Sequence, residues 1–233
     1  MDAKSSTRLV PGFFVSDPNA SSIQEQGRVN ERFITFEGID KSGKTTQAEL
    51  LTERLEESGH EVILTLEPGG TALGQSLRQM VLGDKYEVSD RTEMLLFAAD
   101  RAQHVEEVIK PGLLSGKVVI SDRFTDSTVA YQGYGRGIDP VLLNQIKEIV
   151  TGGLEPALTF WVDIDLKTSR DRKLLENPDR LETGGEAFYE NVRTGYQKLY
   201  ESEPNRIVRL DGTLPIDSLS HEDYEMVSRF RDF

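Results

Sequence analysis

The sequence predicts an α/β domain organised around a parallel sheet, and three observations carry that expectation. From Phe33 onward, short β-rich runs alternate with segments of helical periodicity. The runs are apolar throughout, as strands covered on both faces of a parallel sheet should be. The first run leads directly into Gly38-Ile39-Asp40-Lys41-Ser42-Gly43-Lys44-Thr45, a glycine-rich turn set at the start of a helical segment.

The elements follow in order. Residues 1–30 are rich in Ser, Asn, Gln, Gly and Pro and hold no sustained period, so they read as a flexible N-terminal extension ahead of one domain over 31–233. Phe33 to Phe36 is the first expected strand, and Ala48, Leu51 and Leu55 then fall on one helical face. Val62 to Leu66 is the second strand, followed by Glu67-Pro68-Gly69-Gly70. Two helical faces come next, one made by Leu73, Leu77 and Met80, the other by Met94, Phe97, Ala98, Arg101 and Val105. Val118 to Ser121 precedes Asp122-Arg123-Phe124, Leu158 to Val162 precedes Asp163, and Ile207 to Leu210 is the last run. Open parallel sheets bind ligands outside the carboxyl ends of their strands, so the polar residues at these ends share one functional rim.

At that rim the glycine-rich turn fits a phosphate-binding loop. Its glycines let successive N–H groups and the start of the next helix face the negative charge of a nucleotide triphosphate. The residues that would embrace its phosphates are Gly38, Ile39, Asp40, Lys41, Ser42, Gly43, Lys44, Thr45 and Thr46. Lys44 would reach the β- and γ-phosphates, and the Thr45 hydroxyl would lie on Mg²⁺.

Composition narrows the partners. The 233 residues hold 27 Lys plus Arg against 40 Asp plus Glu, a formal charge of −13. That balance opposes binding to nucleic acid or to an anionic membrane, and a small anionic substrate needs a local basic pocket. With no cysteine, disulfides, thiolate metal sites and thiol nucleophiles are excluded. No apolar run approaches the ~18 residues of a membrane span, and the Val10 to Val15 stretch is too broken for a signal peptide. The expected compartment is the cytoplasm.

Taken together, FEGIDKSGKTT, EPGGT, LLFAADR, SDRF with STVAYQG, and DRLE resemble the thymidylate kinase family over residues 32–215, by their order and spacing more than by any one motif. The resemblance implies a three-layer P-loop kinase fold with a five-stranded parallel sheet flanked by helices and a short mobile basic lid over about 168–182. It also implies a homodimer that uses ATP with Mg²⁺ to phosphorylate dTMP to dTDP.

It further implies residue roles, several of which suit the chemistry of the side chains. Asp122 stands where a P-loop enzyme wants a carboxylate near the metal, and Arg123 offers planar bidentate donors to the acceptor phosphate. Phe97 and Arg101, one helical turn apart, would stack on the thymine and hydrogen-bond its carbonyl. Arg78 would grip the acceptor phosphate, Asp40 would approach the sugar 3′-hydroxyl, and Glu67 and Pro68 would border the same site. Ser127, Thr128, Tyr131 and Gln132 match the stretch that lines the thymidine site, with Tyr131 crowding the 2′ position against ribose.

The lid carries Arg170, Arg172, Lys173 and Arg180. One branch of the family has a catalytic Arg in the phosphate loop, whereas another takes it from the lid. Here the loop position is Lys41, a point charge and not a fork, which leaves Lys41, Arg172 and Lys173 as alternatives for neutralising the transferred group, with Arg180 a candidate lid anchor. The nearest competing function is a kinase for another nucleoside monophosphate or a deoxynucleoside. A GTPase switch is opposed by the lack of an Asn-Lys-x-Asp sequence, and a nucleic-acid-dependent ATPase by the negative charge.

Overall fold

The computed structural model describes residues 31–173 and 185–230; the extension of residues 1–30 and Arg180 lie outside them. Five parallel strands form one sheet: β1 (Phe33–Glu37), β2 (Val62–Leu66), β3 (Val118–Asp122), β4 (Leu158–Asp163) and β5 (Ile207–Asp211). Their order is β2-β3-β1-β4-β5, so β1 lies at the centre and every connection crosses over through helix. Four of these strands run one residue beyond their apolar stretch, to Glu37, Asp122, Asp163 and Asp211. The ladder continues through them because pairing is a backbone property: Phe36 lies opposite Asp122 and Asp163 opposite Asp211. The carboxylates thereby take fixed positions on the sheet's carboxyl rim.

The helices are α1 (Lys44–Glu57), α2 (Ala72–Leu82), α3 (Asp90–His104), α4 (Lys110–Leu114), α5 (Thr125–Thr128), α6 (Pro140–Thr151), α7 (Leu166–Lys173), α8 (Gly185–Ser202) and α9 (Ile216–Phe230). Two π-helical segments, Val105–Ile109 and Val129–Gly135, extend α3 and α5. On one side of the sheet, Ile34, Phe36, Val118, Ile120 and Phe160 pack with Ala48, Leu51 and Leu55 of α1 and with Leu219 and Val227 of α9. On the other, Trp161 and Ile207 meet Val192 and Tyr196 of α8, while Phe33 and Val119 meet Val105, Ile109 and Leu113. The sheet core thus anchors α1, and with it the loop that precedes it.

One expectation is corrected. The second run was expected to be fully buried, but β2 is an edge strand, and Leu64 and Leu66 are exposed while Thr65 between them is buried. The Leu73, Leu77 and Met80 face lies on α2 but outside the core: Leu73 is 51 % and Met80 43 % exposed, and the buried positions of the helix are Gly74 and Val81. Periodicity identifies a face, but strand order and helix docking decide whether it is covered. None of the described helices is long and apolar enough to cross a membrane.

Candidate active site

The phosphate loop leaves β1 at Gly38, where the chain turns with φ 144°, and a Cβ there would lie 2.5 Å from the Val162 carbonyl oxygen. Only glycine fits that approach. Gly43 closes the loop as the N-cap of α1 with φ 101°. Between them Lys41, a non-glycine residue, also holds positive φ (61°). Lys44 opens the helix and is 7 % exposed. Burial, and then the nearby Arg123 charge, lower its pKa, while Asp122, Asp40 and Glu37 oppose them. This is a cation held ready for a polyanion.

Asp122, at the end of β3, faces the first turn of α1, and the Thr45 hydroxyl donates to its Oδ2. Its Oδ1 is buried without a hydrogen-bond partner among the described residues. A buried carboxylate oxygen left in this state marks a place where a further electropositive group fits.

Arg123 also has a left-handed backbone, φ 75°. Its guanidinium donates to the Gly38 carbonyl (2.9 Å), to Ser127 Oγ (3.1 Å) and to Asp40 Oδ1 (2.6 Å), and it lies over the Tyr131 ring at 5.1 Å. Asp40 in turn accepts from the Tyr189 hydroxyl (3.1 Å).

All the residues that the sequence assigns to the acceptor site line one cleft: Asp40, Glu67, Pro68, Arg78, Phe97, Arg101, Arg123, Ser127, Thr128, Tyr131 and Gln132, joined among the described residues only by Leu82. The empty space is about 580 Å³ with its open mouth included. Arg101 is anchored on three sides, by Glu67 Oε2 (2.7 Å), Thr128 Oγ1 (2.7 Å) and the Phe124 carbonyl (2.8 Å). A guanidinium has five N–H groups, so it still has donors to offer the cleft. Glu67 is held in turn by His104 Nδ1 at 2.9 Å. Arg78 donates to the Pro68 carbonyl (2.8 Å). The wider π-helical turn carries Tyr131 and Gln132, and Gln132 is fixed by a bond to the buried Glu93 (3.0 Å).

A second cleft follows the phosphate loop and is lined by Lys41, Lys44, Thr45, Thr46, Asp122 and Arg172, among others. Arg172 spans it by donating to the carbonyls of Lys41 and Ser42 (3.1 Å each) and of Gly212 (2.7 Å). Its guanidinium therefore braces the loop from outside, and Ser169 Oγ does the same at the Asp40 carbonyl (2.8 Å). Lys173 closes α7. The two clefts share Asp40, Glu67, Arg78 and Arg123, and so open onto one another.

Sequence reasoning overlooks several residues that organise this site: Glu37, Tyr189, Tyr196, Glu93 and the Asp100 carboxylate, which accepts from the Gly69 N–H at 2.9 Å. Burial, and then Glu67, push Asp100 up to about 6. For Tyr196 a signal was present, since it repeats with Phe188 and Val192 at helical spacing.

Comparisons with known proteins show which family the chain resembles. The family model described as thymidylate kinase matches residues 36–222. A thymidylate kinase of Trichormus variabilis is 46 % identical over 201 residues, covering 84 % of this chain and 95 % of that protein. One from Gloeobacter violaceus is 46 % identical over 201 residues, covering 85 % and 95 %. The crystal structure of thymidylate kinase from Ehrlichia chaffeensis superposes with a TM-score of 0.71 at 38 % identity, covering 85 % of this chain and 99 % of that one.

Proposed function

The chain belongs to the thymidylate kinase family, and we propose that its two joined clefts hold ATP and dTMP for direct phosphoryl transfer between them. The activity is phosphorylation of dTMP to dTDP, a step of nucleotide biosynthesis. The observation that supports this division of the site is the shared wall: Arg123, Arg78, Asp40 and Glu67 border both clefts, so a monophosphate in one lies beside a triphosphate in the other.

In this reading an oxygen of the dTMP phosphate attacks the γ-phosphorus, the bond to the β-phosphate oxygen breaks, and ADP and dTDP result. The attacking oxygen is already anionic near neutral pH, so no strong general base is required. The protein supplies positioning and charge. Lys44 meets the β- and γ-phosphates, Arg123 and Arg78 draw the acceptor phosphate toward them, and Phe97 with Arg101 holds the base. Tyr131 excludes a 2′-hydroxyl. Of the candidates for neutralising the transferred group, Arg172 is engaged with loop carbonyls, which favours a bracing role for it, and Lys41 and Lys173 stay as the alternatives.

Mg²⁺ fits the Thr45 hydroxyl and the Asp122 carboxylate, whose Oδ1 is buried and unpartnered among the described residues. Bound there, it would neutralise charge on the β- and γ-phosphates.

Across dTMP, dUMP, dCMP, dGMP, AMP and thymidine in a coupled ADP-release assay, dTMP is expected to be the best acceptor. Equal turnover of AMP or dCMP would shift the reading to a broader monophosphate kinase. We also propose a homodimer, supported by the exposed Leu73 and Met80 of α2 and Leu95 of the adjoining α3. Light scattering is expected to give twice the chain mass, and Leu73→Asp with Met80→Asp to reduce it; an unaltered monomer mass in the parent protein would refute the assembly.

A further inference from the structure

We propose that Glu37 is a positioning residue for the transfer: its carboxylate fixes the backbone turn at Arg123 and orients the hydroxyls that receive the Arg123 guanidinium, aiming that cation at the acceptor phosphate. This rests on the reading of Arg123 given above.

Glu37 is the last residue of β1, immediately before the phosphate loop, and is 0 % exposed. Four donors converge on it. The N–H groups of Phe124 (2.7 Å) and Ser127 (3.2 Å) donate to Oε1, and the hydroxyls of Ser127 (2.6 Å) and Tyr196 (2.9 Å) donate to Oε2. An ionised carboxylate accepts about four bonds and donates none, so it meets all four donors as they stand. A protonated carboxyl or an amide would point hydrogen at one of them, and a hydroxyl would have to turn to accept it.

The bonds act on Arg123 in two ways. Its left-handed backbone is one that a bulky L residue keeps only where the surroundings enforce it. Consecutive residues of β1 grip consecutive peptides of the turn: the Arg123 N–H donates to the Phe36 carbonyl (2.9 Å) and the Phe124 N–H to Glu37. The second effect works through hydroxyls. Ser127 and Tyr196 each have one hydroxyl hydrogen; directing it to Glu37 leaves lone pairs for Arg123 Nη1, at 3.1 and 3.4 Å. Glu37 therefore couples the donor-side strand to the acceptor-side arginine.

Several charged or titratable groups face this carboxylate: Asp126 of α5, Arg123, Tyr131 of the π-helical segment, Tyr196 of α8 and Lys44 of α1. Asp126 is itself paired with Arg206 through two bonds of 2.8 and 2.9 Å. Burial, and then Asp126, push Glu37 up to about 7, against the pull of Arg123, Ser127 and Phe124. Because this pKa is raised, the carboxylate is present above that pH and is lost as pH falls through it.

The test is Glu37→Gln, assayed with dTMP and with ATP as the varied substrate from pH ~6 to ~8.5. At the alkaline end KM for dTMP should rise tenfold or more, the scale of a lost charge-assisted contact, with KM for ATP within twofold. The ratio of parent to variant kcat/KM for dTMP cancels ionisation of both nucleotides. It should fall toward one as pH drops through ~7, where the parent loses its own carboxylate. A ratio independent of pH, or equal losses for both substrates, would overturn the inference. If Glu37→Gln shows no cooperative melting, Tyr196→Phe decides: KM for dTMP should rise several-fold with ATP unaffected, and an unchanged KM for dTMP counts against the proposal. A parent enzyme inactive on dTMP would overturn the functional reading and this inference together, whereas an active parent with a flat ratio overturns this one alone.

Discussion

Lys44→Ala is expected to reduce kcat by roughly a hundred to a thousandfold, the range found when a preorganised charge facing a transition state is removed, while melting temperature holds or rises. The two outcomes have one cause. Lys44 is buried at the start of α1. Its pKa is lowered by burial and then by Arg123. A base whose folded pKa lies below its unfolded value opposes folding while the pH is below both, and this cost lessens as pH rises from the folded toward the unfolded value. Alanine removes that cost together with the charge that the phosphates need, and it is a good helix former. Thermal melting alongside initial rates checks both halves. Full activity in the variant would mean that the loop does not bind the transferred phosphates, and loss of cooperative melting would mean that Lys44 has a structural role the geometry does not reveal.

The phosphate loop and the strand ends are legible in the sequence because their signals are local. Gly38 and Gly43 take positive φ within a few residues of Lys44, and an apolar run that stops at a carboxylate marks the edge of a parallel sheet. The acceptor cleft is different. Helical spacing relates Phe97 to Arg101, but Glu67, Thr128 and Gln132 join them from other elements, and only the resemblance to a known family collects these residues in advance. What escaped both routes depends on distant packing. Tyr196 reaches Ser127 across 69 residues, and Tyr189 reaches Asp40 across 149. Glu37 stands in plain view inside FEGIDKSGKTT, yet nothing in one dimension tells that four donors will surround it. The exposure of Leu64, Leu66, Leu73 and Met80 is hidden for the same reason, since an apolar residue reads alike whether its strand is central or at an edge.

Arg123→Ala is expected to impair the acceptor side selectively. A bidentate, charge-assisted contact contributes about 1.5–3 kcal/mol, so kcat/KM for dTMP should fall roughly tenfold to a hundredfold or somewhat more. ATP affinity should change little, because Lys44 and the loop amides remain. Stability is a weaker readout: alanine at φ 75° is strained as arginine is, and the lost ion pair with Asp40 is only partly buried. Arg123→Lys separates charge from shape. It keeps the cation but cannot bridge Gly38, Asp40 and Ser127 at once, so its activity should lie between those of the parent and the alanine variant. The decisive comparison is dTMP binding against ATP binding, measured by calorimetry on each variant. Should ATP affinity collapse while dTMP affinity holds, Arg123 would belong to the donor cleft, and the wall that the two clefts share would have to be read from the other side.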